Sequence, residues 1–149
     1  SLYAEVPSSE EALRVADEAL KFAGIDGSGW LEEVKRLQEQ GIQEQMEQVE
    51  VQYFALGEGC LCGVANEVMT EFAQTTSEQL ENEFFYFNGY TNGSSGYFPT
   101  EEEFDKGGYE VYWSMLAYYT YYGRVFPLRR ASAGELAAFA AANAPHHTN

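Results

Sequence analysis

The chain has 149 residues, 45% of them apolar and 15% aromatic, with a formal net charge of −16. That length and composition fit one globular domain with a real core rather than a disordered chain. The acidity excludes nucleic acid as a natural partner, because its phosphates would be repelled, and it disfavours an anionic membrane surface. No apolar run approaches the roughly 20 residues of a membrane span.

The opening "SLYAEVPSSEEA" has no methionine and reads as a chain entered in mid-strand, a piece of something longer. Ser8 with Glu11 forms a capping-box pattern after Pro7. Apolar residues then recur at Ala12, Val15, Ala16, Ala19, Leu20 and Ala23, and Gly24 ends that helix. Ser28 is placed to cap a second helix with Trp30, Leu31, Val34 and Leu37 on its stripe, stopped at Gly41.

From Gln48 the period becomes two. Val49, Val51, Tyr53 and Ala55 share a face, "GEG" at 57–59 is a turn, and "CLCGVA" resumes as a buried strand, which makes a hairpin. Cys60 and Cys62 point to one face as buried free thiols, since a bridge between residues that close would be strained.

Asn66 is read as the cap of a third helix carrying Val68, Met69, Phe72 and Leu80. "FFYF" at 84–87 follows as a buried strand, so strand, helix and strand make a right-handed βαβ unit. Thr100 with Glu103 starts a short helix. Tyr109–Trp113 is read as extended, and the aromatic stretch "AYYTYYGRVF" fits either a strand or a packed loop. Ser132 with Glu135 caps a last helix through Leu136, Phe139 and Ala140. The expected fold class is α/β: helices on a mixed sheet with a hairpin and a βαβ unit, one domain over residues 1–144, then a polar tail at 145–149 whose His146 and His147 are read as solvated.

Ligands of a βαβ unit collect beyond the carboxyl ends of its strands. Two segments have that address here, "GVANE" with Glu67 and the glycine-rich loop after "FFYFNGY", and one fold would set them side by side. By position alone Glu67 reads as a first-turn glutamate favoured by the helix dipole, or else as a metal ligand or base. Tyr97 and Tyr109 flank the loop among eleven tyrosines, most of which serve packing. The residues by themselves stop short of a reaction.

Two blocks carry a resemblance. "ALGEGCLCGVANEVMTEF" is similar to the strand-turn-strand and "G-x-P-G-E" motif of neutral/alkaline ceramidases, and "FNGYTNGSSGYFPTEEEFDKGGYE" resembles that family's "GYxNxxxGYxPTxExYxxGGYE" block, without a gap from Tyr97 to Glu110. The resemblance covers most of residues 1–140 and corresponds to the C-terminal part of the catalytic domain, itself part of a larger layered hydrolase. It implies a zinc amidohydrolase that cleaves the N-acyl bond of ceramide or a related amide. It further implies Glu67 and Tyr97 as two metal ligands and Tyr109 as the donor that polarises the substrate amide oxygen, with the loop ordered by the metal. The family's Pro and Gly are Ala65 and Asn66 here. Its two histidine ligands have no counterpart in this chain, so the expected partner is the N-terminal half of the same hydrolase, or a second chain, that supplies them. Family precedent implies a secreted or periplasmic setting. A piece of this kind would expose an apolar face where its remainder docks, or form a homo-oligomer through it. The competing expectation is a non-catalytic α/β domain that binds a partner or ligand through an aromatic surface.

Overall fold

A computed structural model describes residues 1–145. It is a mixed α/β structure, with six α-helices, one π-helical segment and three small sheets among the described residues. The chain divides into two compact units. Ser1–Gln48 and Glu103–Arg129 form the first, and Val49–Glu102 with the chain from Arg130 onward forms the second.

In the first unit, α1 (Ser9–Ala23) begins as its sequence dictates. The Ser8 side chain accepts from the Glu11 N–H, and Gly24, at φ 66°, closes the helix in the left-handed region where a side chain would be strained. Helix α2 (Ser28–Glu39) starts one residue earlier than expected, with Gly27 at the cap position. The capping oxygen comes from Asp26, whose Oδ1 accepts from the Ser28 N–H at 3.0 Å and lies within hydrogen-bond distance of the Ser28 hydroxyl. The apolar stripes meet in a core of Ala12, Val15 and Ala19 from α1 and Trp30, Val34 and Leu37 from α2, closed by Leu116, Val125 and Phe126. Trp30 donates its indole N–H to the Val125 carbonyl at 2.7 Å, which lets a large aromatic be fully buried without an orphan donor. Leu20, expected on the stripe, is exposed.

Strand β1 (Leu2–Glu5) pairs antiparallel with β2 (Glu44–Glu47), a pairing the sequence did not announce. It sets Glu5 directly opposite Glu44. Arg129 offsets that repulsion by reaching both carboxylates, at 3.2 and 2.7 Å. Glu47 instead turns to the buried Arg124, 2.6 Å away. The stretch expected to be extended, Tyr109–Trp113, is a π-helical segment that runs into α5 (Ser114–Tyr122), so the tyrosine-rich segment is a helix, neither strand nor loop. Gly123, at φ 71°, ends it. Tyr118 and Tyr121 are exposed, and Tyr119 and Tyr122 are half-buried.

In the second unit, β3 (Gln52–Leu56) and β4 (Gly59–Gly63) form the expected hairpin, and β6 (Phe85–Asn88) lies parallel to β4 on its far side. The crossover between β4 and β6 carries α3 (Thr70–Leu80), which packs on β6 and on α6 (Ser132–Ala142). The inner face of the sheet presents Tyr53, Cys60, Cys62, Phe85 and Phe87. Phe72 of α3 stacks on Phe87 at 5.9 Å, and the Tyr53 hydroxyl donates to the Ala140 carbonyl of α6 at 2.9 Å. Both cysteines are buried and free, as expected. The last helix starts after Ala131 without a side-chain cap, so Ser132 is its first residue and not its cap. The predicted tail histidines, His146 and His147, lie outside the described residues.

Candidate functional site

Glu67 is not in a helix. The segment Glu67–Val68 forms a short strand, β5, that pairs in parallel with β7 (Tyr97–Phe98), and α3 starts only at Thr70 with Met69 at its cap position. The helix-dipole account of Glu67 therefore fails, and so does the reading of Asn66 as a helix cap. The pairing has a definite register: Glu67 opposes Tyr97 and Val68 opposes Phe98. Register partners of a pleated pair share a side, and consecutive residues alternate. Phe98 is buried, edge-on to Phe72 at 5.4 Å between ring centroids, which commits the Val68/Phe98 side to the core. Glu67 and Tyr97 accordingly share the opposite side, and both are half-buried.

The loop between β6 and β7 is held by main-chain hydrogen bonds to residues 64–67. Thr91 donates to the Val64 carbonyl at 2.8 Å, Ser95 to Ala65 at 3.2 Å and Tyr90 to Asn66 at 3.1 Å, while the Glu67 N–H donates to the Gly96 carbonyl at 2.9 Å. The buried Asn66 adds its side-chain amide, which donates to the Ser95 carbonyl at 3.4 Å. The two segments expected side by side are thus stitched together residue by residue. These bonds hold the glycine-rich loop against residues 64–67.

Two glycines make this approach possible. A Cβ on Gly89 would sit 2.7 Å from the Asn66 carbonyl oxygen, which is backbone and cannot swing aside. Gly96 takes φ 82°, in the region that favours glycine, just before the chain re-enters β7. Asn66 is the residue whose role the sequence reading missed. The signal for it was its place opposite a long glycine-rich loop whose backbone needs partners.

Tyr109 belongs to the first unit, while Glu67 and Tyr97 belong to the second. It is half-buried, opens the π-helical segment, and follows Gly107 and Gly108 at φ 70° and 87°. Such segments interrupt regular helix pairing and recur at functional positions.

As a donor set for zinc, Glu67 and Tyr97 supply two oxygens on adjacent strands, of the type zinc accepts. Among the described residues, no cluster of three or more His, Cys, Asp or Glu side chains is suited to a metal. Two oxygen donors are fewer than a tetrahedral zinc site requires, so a metal held there would need further ligands from outside the pair. The two cysteines lie in a different sheet, buried on its inner face, where burial pushes the Cys62 thiol up to about 12 and raises that of Cys60.

No helix of the described residues is long and apolar enough to cross a membrane. No protein-family model, curated protein or solved structure matches this chain.

Proposed function

We propose that residues 64–67 and 88–97 form half of the zinc site of an amidohydrolase of the neutral ceramidase type, acting on an N-acyl amide of a lipid or a related small molecule. The observation that carries the reading is the register of Glu67 against Tyr97 on one side of a parallel strand pair. Two oxygens on one zinc, each about 2.0–2.2 Å from it, lie roughly 3–4 Å apart. Neighbouring strands lie about 4.8 Å apart, so a shared side of the pair is consistent with two side chains converging on one ion.

Each residue then has a distinct task. The Glu67 carboxylate supplies charge, and the Tyr97 phenol supplies a second oxygen. For Tyr109, which belongs to the other unit, the family resemblance alone implies the role of a hydrogen-bond donor to the substrate amide oxygen. Bound zinc would polarise the amide carbonyl and lower the pKa of a water molecule. The remaining ligands, histidines by the family resemblance, come from a partner segment or chain.

Zinc titration followed by the ultraviolet difference signal of tyrosinate tests the half-site without relying on turnover. The parent chain is expected to develop the signal. Tyr97→Phe abolishes it, and Glu67→Gln weakens it together with zinc affinity. Equal zinc binding and equal signal in all three proteins would overturn the assignment.

A further inference from the structure

Within its own unit, the described residues cover the sheet formed by β3, β4 and β6 on one face only. Its other face presents a cross-strand row, Phe54 opposite Leu61 and Leu61 beside Tyr86, with Leu56 and Phe84 at one end. All five side chains lie in solvent, with exposures of 62% for Phe54, 42% for Leu61, 54% for Tyr86, 59% for Leu56 and 47% for Phe84. Between Leu56, Leu61, Phe84 and Tyr86, above the bare backbone of Gly59, the surface dips into an almost wholly apolar hollow of about 390 Å³.

Single exposed apolar residues need no explanation, but a contiguous row across three strands does. All-parallel sheets are ordinarily covered on both faces, because their crossovers place helices there, and the β4–β6 pair has a crossover of this kind. Within this unit α3 and α6 supply one layer, and its described residues supply no second.

Charge narrows what the second layer can be. Residues 49–102 carry nine glutamates and neither lysine nor arginine. Glu58 lines the hollow itself, and Glu83 is exposed next to Phe84. A second copy of the chain docking through the same face would bring these carboxylates against their equivalents and unite two chains of charge −16.

From this we infer that the Phe54–Leu61–Tyr86 face is the docking surface for a helical partner segment whose apolar stripe is flanked by lysine or arginine. The apolar stripe covers the row, and the flanking cations meet the acidic rim. Helices are the expected cover because they complete a helix–sheet–helix layering over the parallel pair. The inference rests on this face alone and holds whether or not Glu67 and Tyr97 bind zinc.

The test titrates two fluorescein-labelled amphipathic helical peptides into the full chain and reads anisotropy. One carries a leucine stripe flanked by lysines; the other has glutamate at every lysine position. The lysine peptide is expected to bind at least about tenfold more tightly than the glutamate peptide, and increasing salt should weaken it. The double substitution Leu61→Gln with Tyr86→Thr should reduce that affinity about tenfold at unchanged circular dichroism. The single substitution Phe54→Thr, on the outermost strand, should reduce it in the same direction, and it serves if the double variant does not fold.

Three results would each overturn the inference. The first is equal binding of the two peptides, or none. The second is lysine-peptide binding that the substitutions leave unchanged, which would reduce it to diffuse attraction for an acidic chain. The third is a dimer in sedimentation that Leu61→Gln with Tyr86→Thr dissolves, which would make a second copy the occupant.

Discussion

Glu67 and Tyr97 face each other in register across a parallel strand pair only two residues long, and the Glu67 N–H bonds the Gly96 carbonyl at 2.9 Å. Main-chain atoms form this connection, and the two side chains take no part in it. That separation can be measured. Glu67→Gln should cost no more than about 1 kcal/mol in urea unfolding, because it removes no ladder bond. Glu67→Pro removes the donor and should cost about 2 kcal/mol or more. Should Glu67→Gln be as costly as Glu67→Pro, the carboxylate is a structural group and not a vacant ligand.

The close approach of Gly89 to residue 66 makes a second prediction. Gly89→Ala forces a methyl group to within 2.7 Å of a carbonyl oxygen that is itself bonded to the Tyr90 N–H. The strand pair β5–β7 should loosen while the rest of the fold persists. Hydrogen exchange is expected to accelerate at the amides of Glu67, Thr91 and Ser95, and the zinc-dependent tyrosinate signal should fall with it. Protection equal to the parent's at these three amides would mean that the loop does not depend on this contact.

How much of this was legible in the sequence differs by element, for physical reasons. Helix α1 was readable because its cap, its 3.6-residue stripe and its terminal glycine are all local signals. The hairpin and the parallel β4–β6 pair were readable because buried strands alternate and the connecting segment has helical period. Strand β2 was not. Its sequence "EQME" has no apolar alternation, and its partner lies some forty residues away at the start of the chain. Helix α5 was ambiguous because "SMLAYYTYY" is apolar nearly all round, so no stripe separates helix from strand. Glu67 was assigned to a helix because two residues are too few to show a period. Its pairing with Tyr97 emerges only once the loop's hydrogen bonds are counted. The Glu67–Tyr97 pair itself was reached through a family resemblance, not through spacing.

In the first unit the buried ion pair of Arg124 and Glu47 offers a stability test. The guanidinium is 2% exposed, lies 2.6 Å from the Glu47 carboxylate, and also donates to the Phe126 carbonyl at 2.8 Å. Removing the carboxylate leaves a cation buried without its counter-charge, so Glu47→Ala should lower stability by about 3 kcal/mol. Replacing both partners by apolar groups of similar size, Glu47→Leu with Arg124→Met, should cost less than that single change. An additive double-mutant cycle would show that the pair contributes no coupling.

The buried groups of the inner sheet face set the alkaline limit of the second unit. Burial pushes the Cys62 thiol from 9.0 up to about 12, with the neighbouring Cys60 adding to the shift, and burial likewise raises the Tyr53 hydroxyl from 10.0 to about 12. The folded chain thus holds both groups neutral at a pH where the unfolded chain ionises them. Their contribution is complete below pH 9, where the unfolded thiol is still protonated. It is lost as pH rises through about 12. Thermal unfolding followed across this range should show a midpoint that is steady below pH 9 and falls above it. Cys62→Ala removes one of the two groups, so its midpoint should fall less steeply between pH 9 and 12, even if the variant is less stable at neutral pH. The same burial should keep Cys62 from reacting with alkylating reagents until the chain unfolds. A Cys62 that alkylates at neutral pH as fast as a free thiol would show that the inner face opens in the native state.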